Sequence, residues 1–265
     1  MRRSIPLIVL AAALALVPRA LAVGPSLPAV SGAALDGYST RAAGTSTRLT
    51  FRSDGAVVRA RTLTGRWGIQ LATLGGALTG LSANGRVLVL SDNVSGQGTV
   101  RARSRFAVVD TRTLTIAHTI ALRGDFSVDA VSPAGRTLYL IHHVSGSDAT
   151  RYQVVAYDLR QRRLLPGVVA DKSQAGWIMA GYPVARVASP DGRWVYTLYR
   201  QNRGYAFVHA LDTATRVAIC VGIPVTDPLE VSSATLRLQA NTVDVVTGGG
   251  HGFAIDRRTF RVRDL

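Results

Sequence analysis

The sequence has very few cysteines, lysines and glutamates, and it lacks catalytic signatures. One Cys among 265 residues excludes an intramolecular disulfide framework and a Cys-rich zinc site. One Lys and one Glu leave Arg and Asp to carry almost all of the charge. The chain has no Gly-x-Ser-x-Gly elbow, no His-Glu-x-x-His helix, no paired-carboxylate motif and no phosphate-binding loop. The sequence therefore names no reaction, and we expect no cofactor.

One long apolar run is present, and it lies at the N-terminus. Arg2 and Arg3 precede apolar residues 5–17, and small residues follow at Ala20 and Ala22. This order is typical of a secretory signal peptide, and the 13-residue run is shorter than the roughly 18 residues of a membrane-spanning helix. We expect residues 1–22 to be removed near Ala22 and the mature chain to be secreted, either extracellular or periplasmic. An uncleaved N-terminal anchor is the alternative.

Basic residues outnumber acidic residues in the rest of the chain. Without residues 1–22 the sequence keeps 28 basic and 16 acidic side chains, a formal charge of +12. The arginines are spread along the chain, and the aromatic-rich basic stripe of a nucleic-acid binder is missing. The charge favours loose association with an anionic envelope polymer or lipid. We expect no nucleic-acid partner.

Three short stretches repeat one another and predict the same tight turn. They are residues 81–86, 131–136 and 188–193, and each contains Ser and then Gly-Arg. Pro presets the φ of a turn corner, and Gly tolerates the positive φ that follows. The turn glycines are Gly85, Gly135 and Gly192. A β-rich run follows each turn, at residues 87–90, 138–141 and 194–199.

A second marker follows each of these runs. An aspartate ends an apolar stretch four times, at Asp110, Asp158, Asp212 and Asp256. The aspartates are 48, 54 and 44 residues apart, which is within or close to the ~40–50-residue period of propeller blades. One repeat therefore predicts four strands, with short turns between the first and second and between the third and fourth.

Two properties of the repeat select the architecture. Turns this short leave no room for a crossover helix, so neighbouring strands must be antiparallel. The second strand is apolar on both faces, as in residues 194–199, whereas an open antiparallel sheet usually has one wet face. Radial stacking of small sheets buries both faces. We predict an all-β fold, a single β-propeller of four-stranded antiparallel blades at residues 40–265, after an N-terminal extension at residues 23–39.

The predicted blades lie at about residues 40–74, 77–122, 126–170, 184–223 and 232–265. Five blades are predicted, and six blades or an incomplete ring are the alternatives. In the first blade, residues 67–72 supply a strand after the hairpin at residues 53–55. Helix is nearly absent, and residues 172–181 are the doubtful stretch.

The third repeat carries a family resemblance. Residues 189–196, Ser-Pro-Asp-Gly-Arg-Trp-Val-Tyr, resemble the turn and strand of bacterial secreted propellers with WD40-like, TolB-like or YVTN-type repeats, and degraded copies begin at Ser132 and Ser82. The resemblance covers most of residues 77–265 and implies the propeller fold. It says little about function, because the turn and the strand are structural parts. Such families include binding scaffolds, periplasmic assembly factors and lactonase-like enzymes, and the metal ligands of lactonase-like members are not found here.

Loop length varies at one end of the predicted blades, and variable loops on a rigid frame are where binding residues concentrate. The candidate binding residues at that end are Trp177, Tyr182, Arg200, Arg203, His142, Asp125 and Asp171. Aromatic and Arg side chains carry most of the energy at recognition sites. The loop of Trp177 could instead plug the channel mouth. In the same way, His142 could have a structural role, and Asp125 and Asp171 could be solvated loop acids.

Two functions stay open. The first is an exported, non-catalytic, monomeric β-propeller that binds a protein, glycan or anionic envelope polymer through the variable-loop end. The second is a lactonase-like propeller hydrolase or lyase with a metal in the central channel. No acid-rich set lies on the predicted inner strands, and this favours binding. No catalytic residue and no metal ligand is assigned.

Overall fold

The computed structural model describes residues 27–92, 94, 100–145, 150–171, 178–201 and 204–265. In these ranges the chain forms 23 strands and one short helix, α1 (Pro228–Ser232). Every strand pairing in the described ranges is antiparallel. The predicted all-β class is confirmed. Within the same ranges, no helix has the length and apolar character needed to cross a membrane.

Five sheets follow one another along the chain. The first contains β2 (Ala34–Leu35), β3 (Tyr38–Ala43), β4 (Ser46–Ser53) and β5 (Ala56–Thr64). The second contains β8 (Val87–Ser91), β9 (Arg103–Asp110) and β10 (Thr115–Arg123). The third contains β11 (Asp125–Val131), β12 (Thr137–His143), β13 (Arg151–Asp158), β14 (Arg163–Leu164) and β15 (Met179–Ala180).

The last two sheets are regular four-stranded meanders. The fourth contains β16 (Tyr182–Ala188), β17 (Trp194–Arg200), β18 (Ala206–Asp212) and β19 (Val217–Ile223). The fifth contains β20 (Thr235–Leu238), β21 (Thr242–Val246), β22 (Gly252–Asp256) and β23 (Val262–Asp264). Short turns join the first strand to the second and the third to the fourth, so the remaining connections all emerge at the other end, called the loop end below.

A sixth, small sheet crosses the centre of the molecule. It contains β1 (Ala29–Val30), β6 (Ile69–Leu71) and β7 (Leu78–Thr79). The residues after β7 complete the second sheet, because the carbonyl oxygen of Gly80 accepts the N–H of Val89 at 2.8 Å. On the other side, the N–H groups of Leu74 and Gly75 donate to Pro183 and Val184 in the fourth sheet, at 2.9 and 3.3 Å. The small sheet therefore bridges the inner strands of the second and fourth sheets.

The three predicted tight turns have one construction. Gly85, Gly135 and Gly192 have φ of +67°, +69° and +69°, a region where glycine carries no Cβ penalty. In each turn the glycine N–H donates to the carbonyl oxygen of the serine three residues earlier, at 2.8 Å. The serine hydroxyl accepts a further N–H from the strand that follows, at 2.9 to 3.0 Å. The serine and the glycine thus stabilise the turn and set the direction of the second strand.

The repeated aspartates close the other tight turns. The carboxylate of Asp110 accepts the N–H of Arg112 at 2.8 Å, and the carboxylate of Asp212 accepts that of Ala214 at 2.9 Å. Asp158 and Asp256 make the same bond to the residue two positions later. Because an Asp side chain can mimic a backbone turn in this way, each one ends a third strand as predicted.

The five large sheets pack face to face through four apolar layers. Leu49 of the first sheet packs with Leu88 and Val109 of the second. The second and third sheets join around Phe106 and Leu140, and the next two around Tyr139 and Leu211; the fourth and fifth join around Leu198 and Val245. Such stacking buries both faces of the middle sheets, as the two-faced apolar strands predicted, and it confirms the propeller architecture.

In the part of the chain that the structure describes, apolar packing does not close the ring of sheets. In the described part of the chain, no apolar cluster joins the first sheet to the fifth. Arg41 and Arg48 are opposite each other on the first sheet and both are exposed, and Arg237 and Arg263 are exposed on the fifth. Five sheets therefore stack in an arc, and the count becomes six with the small central sheet. Both an incomplete ring and six blades are compatible with the sequence pattern.

Two details differ from the prediction. Residues 67–72 do not belong to the first blade, because β6 pairs with β1 and β7. The first sheet instead begins at Ala34, so the sheets start before residue 40. The helix of the described residues is α1, and Asp227 caps it by accepting the N–H of Leu229 at 2.9 Å. Of the doubtful stretch at residues 172–181, residues 172–177 lie outside the described residues, and Met179–Ala180 form β15.

Candidate functional site

A buried ion pair lies at the centre of the propeller. Asp129 of β11 faces Arg186 of β16, and Nη1 of Arg186 lies 2.8 Å from Oδ1 of Asp129. Nη2 of Arg186 also donates to the carbonyl oxygen of Asp129, and Oγ1 of Thr79 donates to that same oxygen at 2.7 Å. The pair joins the third sheet to the fourth and to the small central sheet. Both charges are buried, paired and hydrogen-bonded, so the pair has a structural role in joining these sheets.

A small cavity lies beside this pair, toward the loop end. His143, Tyr152, Tyr182, Arg186 and Tyr199 contribute to its wall. Its volume of ≈ 40 Å³ has room for about one water molecule. Burial raises the pKa of both Tyr152 and Tyr199 above the usual value of 10, so both phenols stay protonated. Because the cavity is so small, the channel mouth at the loop end has no room for a substrate.

The structure places Tyr182 and Arg200 together. They are directly opposite on β16 and β17, and the guanidinium carbon of Arg200 lies 4.8 Å from the centre of the Tyr182 ring. This is a cation–π contact at the loop end. Both residues are predicted to bind, and the contact holds the arginine side chain against the channel mouth.

His142 and Asp125 form a second group on the third sheet. The imidazole of His142 stacks on Phe126 with ring centres 4.2 Å apart. Burial lowers the pKa of His142, and the nearby Asp125 opposes that shift. The fully buried carboxylate of Asp125 is paired with Arg101, whose Nε lies 2.7 Å from Oδ1. A stacked neutral imidazole and a paired carboxylate fit a structural role for these two residues.

Asp171 lies elsewhere, in a cleft between the third and fourth sheets. This interblade cleft has a volume of ≈ 320 Å³ and opens at the loop end. Met179, Phe207 and Tyr205 line it on the apolar side, and Asp171 and Gln201 supply polar groups. Oδ2 of Asp171 accepts the N–H of Cys220 at 2.9 Å. Tyr205 is 61% exposed, so its ring is free to contact a partner.

The thiol in the interblade cleft is not a nucleophile. Sγ of Cys220 lies 3.7 Å from Nδ1 of His209. Burial, with a smaller contribution from Asp171, raises the pKa of Cys220 to about 12. Burial also lowers the pKa of His209, so the imidazole is neutral. Because a thiolate is the reactive form of cysteine, the Cys220–His209 pair has a packing role.

Two of the predicted binding residues, Trp177 and Arg203, lie outside the described residues. Ile178 and Gln201, which are near them in the chain, line the interblade cleft. The five predicted residues that the structure describes lie in three places. Tyr182 and Arg200 are at the channel mouth, His142 and Asp125 are on the third sheet, and Asp171 is in the cleft.

Sequence reasoning missed two groups. Asp129 occupies a strand whose seven residues are all buried, and a charge inside such a strand signals a partner of opposite sign. Its partner Arg186 is 57 residues away, so nothing local identifies it. Tyr205 directly precedes a third strand, and only the structure shows that it is exposed. Among the described residues, no group of three His, Cys, Asp or Glu side chains is close enough to hold a metal ion.

Comparisons with known proteins support the fold. No family model matches the chain, and no curated protein matches it. The chain is similar to a prolyl endopeptidase structure (TM-score 0.52, 10% identity, 91% of this chain and 36% of that chain). It is also similar to the Cps50 (Swd1) β-propeller domain of Myceliophteria thermophila, with a TM-score of 0.47 and 12% identity over 91% of this chain and 71% of that chain. The similarity to BamB of Moraxella catarrhalis has a TM-score of 0.47 and 15% identity over 88% of this chain and 62% of that chain. At these identities the likeness concerns the fold alone.

Proposed function

We propose that this chain is an exported, non-catalytic β-propeller scaffold that binds a protein partner at the interblade cleft. The observation that carries the proposal is the exposed Tyr205 at the edge of a cleft of ≈ 320 Å³. An exposed aromatic ring beside an apolar recess is the arrangement that anchors many protein interfaces. Phe207 and Met179 give the recess its apolar wall.

Charge and burial favour binding over catalysis. The carboxylate in the channel, Asp129, is neutralised by Arg186, and the cavity beside it at the loop end, ≈ 40 Å³, is too small for a substrate. The thiol in the cleft is protonated, because burial raises the pKa of Cys220. The carboxylate of Asp129 and the thiol of Cys220 are thus occupied by structural contacts, which favours recognition over catalysis. Export rests on the signal-peptide pattern of residues 1–22, which lie outside the described residues.

Photo-crosslinking tests the proposal in the cell of origin. p-Benzoylphenylalanine in place of Tyr205 should form an adduct with one protein, which mass spectrometry identifies. The same analogue in place of Val217 should not, because Val217 begins β19 at the opposite end of the same sheet and is 48% exposed. Adducts only at Val217, or a saccharide ligand without any protein adduct at Tyr205, would contradict a protein partner at the cleft.

The purified partner then gives a quantitative test. Tyr205→Ala should weaken its affinity at least tenfold, or about 1.4 kcal/mol, as expected for an anchoring aromatic residue. Val217→Ala should change the affinity less than twofold. Both side chains are largely exposed, so neither variant should lower the melting temperature. Equal affinity of the two variants would show that the partner docks elsewhere.

A further inference from the structure

Positive charge is concentrated in one part of the chain. Residues 34–123, which include the first two sheets, contain twelve arginines and four aspartates. Residues 124–265 contain sixteen basic and twelve acidic residues. Most of the excess charge of the mature chain therefore lies on the first two sheets, although the arginines look evenly scattered in the sequence.

Three of these arginines gather at the loop end of the second sheet. Arg103 of β9 is directly opposite Arg123 of β10, and Arg105 is two residues along from Arg103. All three are exposed. They share the sheet face that Ala107 and Val109 turn toward the first sheet, because side chains alternate along a strand. Directly opposite side chains on paired strands have Cβ atoms about 5 Å apart, and like charges there repel.

Neighbouring carboxylates do not neutralise this group. Oδ1 of Asp92 lies 3.6 Å from Arg101, and Asp125 is paired with Arg101 at 2.7 Å. Asp92 also accepts the backbone N–H of Arg105 at 3.2 Å. The guanidinium carbon of Arg105 lies 5.5 Å from the centre of the Trp67 ring. Among the described residues, Arg103, Arg105 and Arg123 form no ion pair.

The tight-turn end is different. There Asp110 pairs with Arg112 at 3.3 Å and Asp212 with Arg193 at 2.9 Å. The turn aspartates that end each third strand thus supply a negative charge at that end of every large sheet from the second to the fifth. The group of Arg103, Arg105 and Arg123 has no such carboxylate partner among the described residues.

We propose that Arg103, Arg105 and Arg123 form a second binding site, which takes a linear phosphate-rich polyanion. Guanidinium groups match phosphate oxygens through paired hydrogen bonds, and a bound polyanion removes the repulsion between Arg103 and Arg123. The inference goes beyond the proposed function and does not depend on the interblade cleft.

The surroundings favour a polymer without bases. Trp67 is only 3% exposed and lies under Arg105, so it presents no surface on which bases could stack. One large apolar side chain, Val100 at 37% exposure, is close to the arginines in the chain. A single partly exposed valine is too little to anchor the site in a bilayer.

Titration with long-chain inorganic polyphosphate tests the site. The variant is R103Q/R123Q, and the matched control R258Q/R261Q removes the same charge from exposed positions of the fifth sheet. Each neutralised phosphate contributes about 0.7 to the slope of log K against log salt for a flexible single strand. Loss of two contacts should lower the slope by about 1.4, so that the variant binds about 25-fold more weakly than the native chain at 0.1 M salt if the two affinities converge at 1 M salt. The control should change affinity less than twofold.

Further arms of the experiment separate the competing explanations. R103K/R123K keeps both charges and should keep the native salt slope, but it loses the paired guanidinium–phosphate hydrogen bonds and should bind less tightly than the native chain. R103Q/R123Q should melt no lower than the native chain because a repulsive pair is removed. Equal weakening by both Gln double variants would overturn the site in favour of net charge. Tenfold tighter binding of single-stranded DNA than of polyphosphate would also overturn the site. So would binding of acidic phospholipid vesicles through Arg103 and Arg123 in the absence of polyphosphate binding. Tyr205→Ala should leave polyphosphate binding unchanged, which keeps this test separate from that of the cleft.

Discussion

The ion pair at the centre gives the sharpest test of how the sheets are held together. The change is Arg186→Met, which keeps an unbranched apolar stem and removes the guanidinium. In the native chain Nη1 of Arg186 lies 2.8 Å from Oδ1 of Asp129, and the two side chains are 8% and 3% exposed. The variant therefore leaves a buried carboxylate without its counter-charge.

The size of the effect follows from the contacts that are lost. Arg186 donates to Oδ1 and to the carbonyl oxygen of Asp129, and to Oγ1 of Thr197 at 3.3 Å. Removal of one partner from a buried pair costs about 3–5 kcal/mol. We expect the free energy of unfolding to fall by about 4 kcal/mol, a large part of the ~5–15 kcal/mol of a typical domain. The double variant D129L/R186M should recover most of this loss, because apolar replacement of a whole buried pair is often neutral.

Urea unfolding followed by far-ultraviolet circular dichroism and by tryptophan fluorescence measures these values. The matched control is Arg193→Met, since Arg193 pairs with Asp212 at 2.9 Å but is 49% exposed. An exposed pair contributes about 0.2–1 kcal/mol. A structural role of the central pair is refuted if Arg186→Met costs no more than Arg193→Met, or if the double variant is less stable than Arg186→Met.

Two further changes test the turns and the buried imidazole. Gly192→Ala should destabilise the protein more than Gly85→Ala. Both glycines have φ near +70°, which strains an alanine by about 1–2 kcal/mol. A Cβ on Gly192 would also lie 2.5 Å from the Cβ of Ala83, whereas a Cβ on Gly85 meets nothing within 4 Å. Equal losses in melting temperature would contradict this. Burial lowers the pKa of His209 below its usual 6.5, so the unfolded chain takes up a proton first, and stability should decrease as the pH falls below 6.5. His209→Leu should reduce the fall in melting temperature between pH 7 and pH 5 without abolishing it, because burial also lowers the pKa of His142; an unchanged slope would refute this assignment.

The parts of the fold with local causes were predictable. Residues 87–90, 138–141 and 194–199 all lie inside observed strands β8, β12 and β17. The turns before them require a positive φ, and glycine marks that position directly in the sequence. The aspartates at the end of each third strand work over two or three residues, so they too are visible without tertiary information.

The central sheet could not be predicted in the same way. Strands β1, β6 and β7 have two, three and two residues, too few to show an alternating pattern. The pairing of β1 with β6 joins residues about 40 positions apart, so its register depends on the finished fold. The place of residues 67–72 in the repeat suggests the first blade, but long-range pairing decides where β6 lies.

The candidate site shows the same division. Loop length located the correct end for Tyr182, Arg200 and Asp171, which all lie at the loop end. It could not show that Asp171 faces a cleft separate from the channel mouth, because that depends on how the third and fourth sheets pack. The arginine group at Arg103 and Arg123 was also invisible, since their direct pairing requires the register of β9 and β10.

The lack of apolar packing between the first and fifth sheets, among the described residues, changes what positions the loops. In a closed propeller each blade is fixed by a neighbour on both sides, but within the described ranges the first and fifth sheets each pack on one large neighbouring sheet. The hydrogen bonds from Leu74 and Gly75 to the fourth sheet, and the pair between Asp129 and Arg186, tie the second, third and fourth sheets together across the centre. The interblade cleft lies between two of these tied sheets. Loss of the central pair should therefore weaken binding at the cleft as well as stability. The arginine group of the second sheet lies on the face turned toward the first sheet, away from the third and fourth sheets, and should keep its affinity for polyphosphate.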